Sequence, residues 1–209
     1  VFVPLLYELM SGELKGWEVA PDYASLLQGH GISHLQDRVI SVDFEARSIT
    51  TASGRALSYS QLVMATGAQP ADFGIPGVRA NALNFHTLTD LQPLHERLQE
   101  LRRRPSGSSS LTIAGAGATG VELACKLVDL LNGAATVQLV ELGDQILPRS
   151  KAFNREQAEK ALKKRGVNIH LNTRVDSVTE SSVTLSGPQG SYQQPHDGLI
   201  WTAGSRPTI

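Results

Sequence analysis

A glycine-rich loop, GAGATG at residues 115–120, is the segment of this 209-residue chain whose spacing points most directly to chemistry. In such a loop, the first glycine permits a tight turn, and the second lets the backbone approach a pyrophosphate. The third glycine lets the following helix pack closely against the strand. The pattern predicts a dinucleotide site at a helix N-terminus, where unpaired N–H groups favour phosphate. The residues that we expect to bind are Gly115, Gly117, Ala118, Thr119 and Gly120.

An acidic residue, Glu141, follows the loop by about 20 residues, at the end of the next strand-like stretch. A carboxylate there accepts hydrogen bonds from the adenosine ribose and repels a 2′-phosphate, which favours NADH over NADPH. Arg149, further along the chain, offers a partner for a 2′-phosphate and keeps NADP(H) open as a ligand. The alternative for Glu141 is an ordinary exposed acid at a strand end.

Three more residues are candidates for the nicotinamide end of the ligand. Glu122 lies in the first turn of the helix after the loop, where it either faces the nicotinamide or simply complements the helix dipole. Ala203 and Gly204 end the last apolar strand-like stretch, and ligands of open α/β sheets lie beyond the carboxyl ends of strands. A plain strand-to-loop glycine is the alternative for Gly204.

The elements that must position these residues follow from hydrophobic periodicity. A long helix is predicted at residues 87–104, with Thr87 or Thr89 as its cap, and the rest of this half alternates between strands and helices. This βαβαβ order predicts one half of a doubly wound parallel sheet. The predicted strands are 111–114, 136–141, 167–171 and 198–202, the helices are 119–131 and 154–165, and a hairpin-like insertion spans 174–186.

The first half of the chain has its own pattern. We predict helices before Gly12 and at residues 20–28, a small antiparallel meander at 38–43, 47–51 and 55–58, and an apolar strand at 61–66. The stretch 68–80 is rich in proline and glycine and marks a predicted domain boundary. The predicted domains are residues 1–80 and 81–209, with the glycine-loop unit starting at Leu111.

Composition removes several classes of function. A formal net charge of −1 gives no electrostatic footprint for nucleic acid. A single cysteine, Cys125, excludes an internal disulfide and a dithiol redox centre, and the six scattered histidines predict no metal site. No apolar run approaches the roughly 20 residues that span a bilayer.

Four segments together resemble the flavin-dependent pyridine nucleotide oxidoreductases, and within them the type II NADH dehydrogenases. The segments are FVPLLYEL at 2–9, LVMATG at 62–67, IAGAGATGVEL at 113–123 and LIWTAG at 199–204. Residues 7–27 are most similar to the cyanobacterial and plastid branch, which includes demethylphylloquinone reductases.

The resemblance implies a Rossmann-like FAD/NAD(P)-binding fold, with a parallel sheet and an antiparallel meander insertion, plus part of a second such domain. It implies a NAD(P)H:quinone oxidoreductase that transfers a hydride from NAD(P)H to FAD and passes electrons to a quinone. It assigns FAD contacts to Pro4, Ala65, Thr66 and Gly67, and a role near the nicotinamide, in nucleotide binding or proton handling, to Glu122. Val3 departs from the polar residue common before this proline.

The family's FAD phosphate loop, its later Gly-Asp segment and its C-terminal membrane-anchoring helices have no counterpart in the sequence. We therefore expect a central fragment that neither retains FAD nor catalyses alone. The full-length protein is expected at the cytoplasmic side of a membrane, attached peripherally through those further segments, and a homodimer is one option.

Alternatives remain at this level. A NADH-dependent ferredoxin or nitrite-reductase-type flavoprotein would differ in residues outside this sequence. A non-catalytic NAD-binding module would need only the glycine loop and Glu141, and the flavin-like segment at Ala65 to Gly67 argues against it. A methyltransferase lacks the full three-glycine pattern, and disulfide reductases need a cysteine pair.

Overall fold

The computed structural model describes residues 2–208 and contains seven helices and thirteen strands. The helices are α1 (Leu6–Ser11), α2 (Gly16–Val19), α3 (Tyr23–Leu27), α4 (Val78–Asn81), α5 (Leu88–Arg103), α6 (Ala118–Leu131) and α7 (Ala152–Lys164), with a 3-10 turn at Val3–Leu5. The first strands are β1 (Val39–Asp43), β2 (Ser48–Thr51), β3 (Ala56–Ser58), β4 (Ala68–Pro70), β5 (Leu83–Asn84), β6 (Ser109–Ala114) and β7 (Ala135–Val140). The remaining strands are β8 (Asn168–His170), β9 (Arg174–Val178), β10 (Ser182–Gly187), β11 (Gly190–Pro195), β12 (Gly198–Trp201) and β13 (Ser205–Pro207).

A five-stranded parallel sheet in the order β5-β12-β6-β7-β8 forms the centre of the fold. Side chains along each strand alternate between the two faces of a sheet. One face carries Leu111, Ile113, Val137, Leu139 and Ile200 into a core shared with α1, α5, α6 and α7. The opposite face carries Ala114, Val140, Leu199 and Trp201. Both faces are apolar, as expected for a parallel sheet covered on both sides.

The three-stranded antiparallel sheet β9-β10-β11 covers the second face. Its buried residues Val175, Val183 and Leu185 pack against Leu199 and Trp201 of the parallel sheet. The protein is therefore a three-layer α/β structure of helices, parallel sheet and antiparallel meander. This confirms the predicted fold class.

The structure shows why two of the predicted helices start or end where they do. Helix α6 ends where Asn132 adopts a left-handed φ of 45° and Gly133 follows at 86°. Thr87 caps the N-terminus of helix α5, and its backbone N–H donates to the Asp90 carboxylate at 2.7 Å. An acceptor in the first turn satisfies an N–H that the helix itself leaves unpaired.

The N-terminal helices pack onto the glycine-loop unit. Leu6 is fully buried and Met10 is 3% exposed, both in the core shared with α5 and α6. The Met10 carbonyl lies 2.7 Å from Nε2 of His95, and Lys126 pairs with Glu13 at 2.5 Å. The boundary near residue 80 remains a prediction, but residues on its N-terminal side complete the core of the C-terminal side.

Three predicted elements differ from the structure. Residues 62–67 form no ladder with any strand of residues 2–208, so the predicted strand at 61–66 is wrong. An apolar run becomes a strand only beside a neighbour that accepts its backbone hydrogen bonds, and here Val63 is 86% exposed. The insertion at 174–186 gains a third strand, β11, and the helix at 20–28 shrinks to α3, which the Asp22 carboxylate caps by accepting from Ser25 N–H.

Candidate dinucleotide site

The glycine loop joins β6 to α6, and its three glycines have three different surroundings. Gly115 has a φ of 102°, and a Cβ there would lie 2.7 Å from Cα of Ala203. A Cβ on Gly120 would lie 1.9 Å from the Gly115 carbonyl oxygen. At Gly117, no described atom beyond the residue itself and its two chain neighbours lies within 4 Å of an added Cβ. The backbone at Gly117 is therefore the part of the loop open to a ligand's phosphates, while Gly115 and Gly120 are required by packing.

Glu141 follows β7 and holds the loop through both carboxylate oxygens. Oε2 accepts from Ala116 N–H at 2.7 Å, and Oε1 accepts from Gly143 N–H at 2.9 Å. A carboxylate has about four lone-pair sites, so each oxygen retains a further acceptor position for a ribose hydroxyl. The side chain that was predicted to face the ribose thus also sets the shape of the phosphate loop.

Thr202 ties the end of β12 to the same loop. Its hydroxyl contacts the carbonyls of Ala114 at 2.9 Å and Gly115 at 3.0 Å. The same Oγ1 lies 2.8 Å from the position of a Cβ on Gly120. Residues 202–204 are therefore part of the wall of the phosphate loop rather than a separate feature.

A cavity of about 780 Å³ opens at the carboxyl ends of β6, β7 and β12. Among its lining residues are Gly115, Gly117, Ala118, Thr119, Glu141, Ala203 and Gly204. Because β7 and β12 flank β6 on opposite sides, a dinucleotide whose phosphates sit on the β6 loop spans both neighbours. The roles predicted from the sequence would then place its adenosine toward Glu141 and its nicotinamide toward Gly204. Arg149 and Arg174 also line the cavity, and Thr173, which precedes Arg174, donates its N–H to the Glu141 carbonyl at 2.9 Å.

Glu122 is exposed and lies outside the set of described residues that line the cavity. Its close neighbour is Tyr7 of α1, whose hydroxyl donates to the Thr119 carbonyl at 3.4 Å. Burial, and next the negative charge of Glu122, raise the pKa of Tyr7 above its ordinary value. The predicted catalytic role of Glu122 stays a prediction, and the structure adds that Tyr7 of α1 lies close enough for the charge of Glu122 to act on its hydroxyl.

The four residues with predicted FAD contacts are not among the described residues that line this cavity. Pro4 is exposed in the 3-10 turn, and Ala65, Thr66 and Gly67 are exposed in the segment before β4. Their contact with FAD stays a prediction. No group of three metal-ligating side chains forms within residues 2–208, and no helix there combines the length and apolar character needed to cross a bilayer.

Some residues that line the cavity were not predicted from the sequence. Thr202, Phe73 and Arg174 all line the cavity. Thr202 directly precedes the predicted residues Ala203 and Gly204, so its position at the end of the same strand could have predicted it. Phe73 lies in residues 68–80, which the sequence predicts as a domain boundary, and only the tertiary fold brings it to Gly204.

The fold and the loop define a dinucleotide-binding domain of the doubly wound type. A family model described as pyridine nucleotide-disulphide oxidoreductase matches residues 2–209, and the chain belongs to this family.

Similar proteins include a demethylphylloquinone reductase of Synechocystis sp., 34% identical over 98% of this chain and 52% of the relative. An alternative NAD(P)H-ubiquinone oxidoreductase of Arabidopsis thaliana is 33% identical over all of this chain and 46% of its own length. The chain spans about half the length of these curated relatives. In fold it matches the NDH2 structure from Plasmodium falciparum in complex with NADH, with a TM-score of 0.82, 21% identity and coverage of 99% and 48% of the two chains.

Proposed function

We propose that this chain holds the nicotinamide dinucleotide of a NAD(P)H:quinone oxidoreductase, with NADH as the preferred hydride donor. The observation that carries the proposal is the pairing of an open Gly117 backbone with Glu141, whose carboxylate is fixed by two backbone N–H groups. The printed names of the similar proteins, a demethylphylloquinone reductase and a NAD(P)H-ubiquinone oxidoreductase, support a quinone as the acceptor.

The residues of the cavity fit a nicotinamide dinucleotide. The first turn of α6 presents unpaired N–H groups to the phosphates, and the helix dipole adds favourable charge. Glu141 presents acceptors to the adenosine ribose, and the same negative charge disfavours a 2′-phosphate. Arg149 and Arg174 are the cations that line the cavity, and they are the residues on which NADPH binding would depend.

In the whole protein, FAD supplies the chemistry of accepting a hydride and passing electrons onward. This chain's residues bind and orient the donor, with Glu122 placed at the start of α6 beside Tyr7. Pro4 and Ala65 to Gly67 are proposed FAD contacts. A peripheral membrane location on the cytoplasmic side and a homodimer are also proposals for the whole protein, and the ubiquinone in the printed name of one relative agrees with the first of them.

The test is a calorimetric titration of the 209-residue chain with NADH and NADPH, in wild type, Glu141→Ala and Glu141→Gln. Hydrogen bonds to a charged group contribute about 1.5–3 kcal/mol each, so we expect Glu141→Ala to weaken NADH binding at least about tenfold. Glu141→Gln keeps one acceptor and should lose less NADH affinity while narrowing the preference over NADPH.

Glu180→Ala is the matched control, because Glu180 is an exposed carboxylate outside the cavity lining of the described chain. It should bind both nucleotides as the wild type does. Equal binding of NADH and NADPH, unaffected by Glu141→Ala, would contradict the assignment of the ribose site.

A further inference from the structure

Phe73 is an exposed aromatic side chain with an unusual backbone, located at the rim of the dinucleotide cavity. Its side chain is 68% exposed, and it lines the cavity together with Gly204 and Ile75. Its φ is 51°, in the left-handed region that bulky side chains rarely adopt. Such backbone conformations persist only where the surroundings hold them, and they cluster at ligand sites.

The surroundings that hold this loop are explicit. Ala71 N–H donates to the Gly204 carbonyl at 3.2 Å, and Nε1 of Trp201 donates to the Ala71 carbonyl at 2.7 Å. Beyond Phe73, Gly74 N–H donates to the Asp72 carboxylate at 3.1 Å. Hydrogen bonds thus attach the loop to the end of β12 on one side of Phe73 and close a turn on the other side. The backbone at Phe73 is therefore held in position.

The Phe73 ring lies against Gly204. A Cβ built on Gly204 would lie 2.9 Å from Cζ of Phe73 and 3.4 Å from Cε2. Gly204 itself has a φ of 105°, which strains any residue with a side chain. The absence of a side chain at Gly204 is therefore what lets the ring edge reach the backbone at the end of β12.

This contact lies at the nicotinamide end of the cavity. Gly204 follows β12, on the side of β6 opposite to β7 and Glu141. A dinucleotide that places its ribose at Glu141 and its phosphates at Gly117 must direct its other half toward Gly204. Two aromatic residues line the cavity at that end, and Phe73 is the exposed one, because Trp201 is only 4% exposed.

We propose that Phe73 contacts the nicotinamide ring and is a specificity-determining residue for ligands that carry it. The inference rests on the proposed function, because it assumes a nicotinamide dinucleotide in this cavity. Aromatic rings attract one another in offset or edge-to-face geometry beyond the effect of buried area alone. A dinucleotide fragment that lacks nicotinamide gains nothing from Phe73.

The experiment compares NADH with ADP-ribose, which keeps the adenosine and the pyrophosphate but lacks nicotinamide. Both are titrated by calorimetry into the 209-residue wild type, Phe73→Ala and Phe73→Leu. We expect Phe73→Ala to weaken NADH binding about 3- to 10-fold while ADP-ribose binding is unchanged. Phe73→Leu retains apolar volume without the aromatic ring, and we expect it to lose NADH affinity as well, to a smaller extent.

Phe153→Ala is the matched control, because Phe153 is also 68% exposed but lies on α7, outside the described residues that line the cavity. Circular dichroism checks that each variant folds, and Phe73→Asn, a residue better suited to a left-handed backbone, replaces Phe73→Ala if that variant does not fold.

The outcomes separate this inference from the proposed function. If the wild type binds neither ligand, the proposed function fails and the inference fails with it. If the wild type binds both, then equal weakening of NADH and ADP-ribose by Phe73→Ala, or no weakening of either, overturns only the inference. Full NADH affinity in Phe73→Leu likewise overturns the aromatic contact.

Discussion

At the scale of single residues, the glycines of the loop differ in the space around them, which is closed at Gly120 and open at Gly117. Gly120 has no room for a side chain, because the Gly115 carbonyl oxygen stands 1.9 Å from where its Cβ would be. Gly117 has open space and an ordinary φ of −70°. One sequence motif therefore contains a position fixed by packing and a position at which the backbone is open to a ligand.

This difference predicts opposite results for two alanine substitutions. Gly120→Ala should lower the free energy of unfolding by about 3 kcal/mol, because the loop must shift away from an overpacked methyl group. Gly117→Ala should change it by less than about 0.5 kcal/mol yet weaken NADH binding about tenfold, because the methyl stands where the pyrophosphate approaches. Denaturant unfolding and calorimetry measure the two effects. Unchanged NADH affinity in Gly117→Ala would place the phosphates elsewhere.

A buried histidine gives a pH-dependent prediction. His196 is 4% exposed, and burial lowers its pKa below the ordinary value. Because the fold binds the proton less readily than the unfolded chain, stability is complete above the ordinary histidine pKa of about 6.5 and falls as pH drops toward the lower folded value. Thermal unfolding from pH 7.5 to 5 should show this loss in wild type and a smaller loss in His196→Asn.

The control for that measurement is His30→Asn, because His30 is exposed and its removal should leave the pH profile unchanged. A wild-type profile that is flat between pH 7.5 and 5, or an identical slope in His196→Asn, would show that His196 does not govern the acid response.

At the scale of elements, the short helix α1 shows that packing rather than propensity fixes its structure. Six residues are too few for a helix that is stable by itself, since most helical stability in proteins comes from tertiary contact. Helix α1 contributes Leu6 and Met10 to the core that α5 and α6 share. It also brings the Tyr7 hydroxyl to the Thr119 carbonyl. Helix α1 therefore contacts the first turn of α6 as well as the core that α6 shares.

The packing of α1 predicts a large loss of stability when one buried side chain of this helix is shortened. Leu6→Ala should lower the free energy of unfolding by about 2–5 kcal/mol, because it removes buried methyl groups and leaves a cavity. Leu26→Ala in α3 is the control, since Leu26 is 52% exposed and should change stability by less than about 0.5 kcal/mol. Chemical denaturation measures both variants. Equal effects of the two would show that α1 is not part of the folded core.

At the scale of the whole molecule, three layers place most of the predicted dinucleotide residues around one cavity at the carboxyl ends of one sheet, with Glu122 outside its lining. The helices cover one face of the parallel sheet and the β9-β10-β11 meander covers the other, which leaves the carboxyl ends of β6, β7 and β12 open. The first-half meander β1-β2-β3 forms a separate sheet whose apolar residues Ile40 and Leu57 are 63% and 41% exposed.

The sequence by itself determined the glycine loop, the acid of the next strand and the alternation of β6, α6, β7, α7 and β8. These features depend on local turns and on periodicity, which short stretches of sequence encode directly. Even the failure at 61–66 is instructive, because apolar periodicity cannot tell whether a neighbouring strand is present.

Only the tertiary structure decided that Leu6 and Met10 complete the core, that Glu141 fixes the loop through two N–H groups, and that Phe73 meets Gly204. Each of these contacts joins segments far apart in the chain, except for the turn from Glu141 to Gly143. Such contacts depend on how the layers pack and on which backbone ends meet at the sheet edge, and no local pattern of residues carries that information.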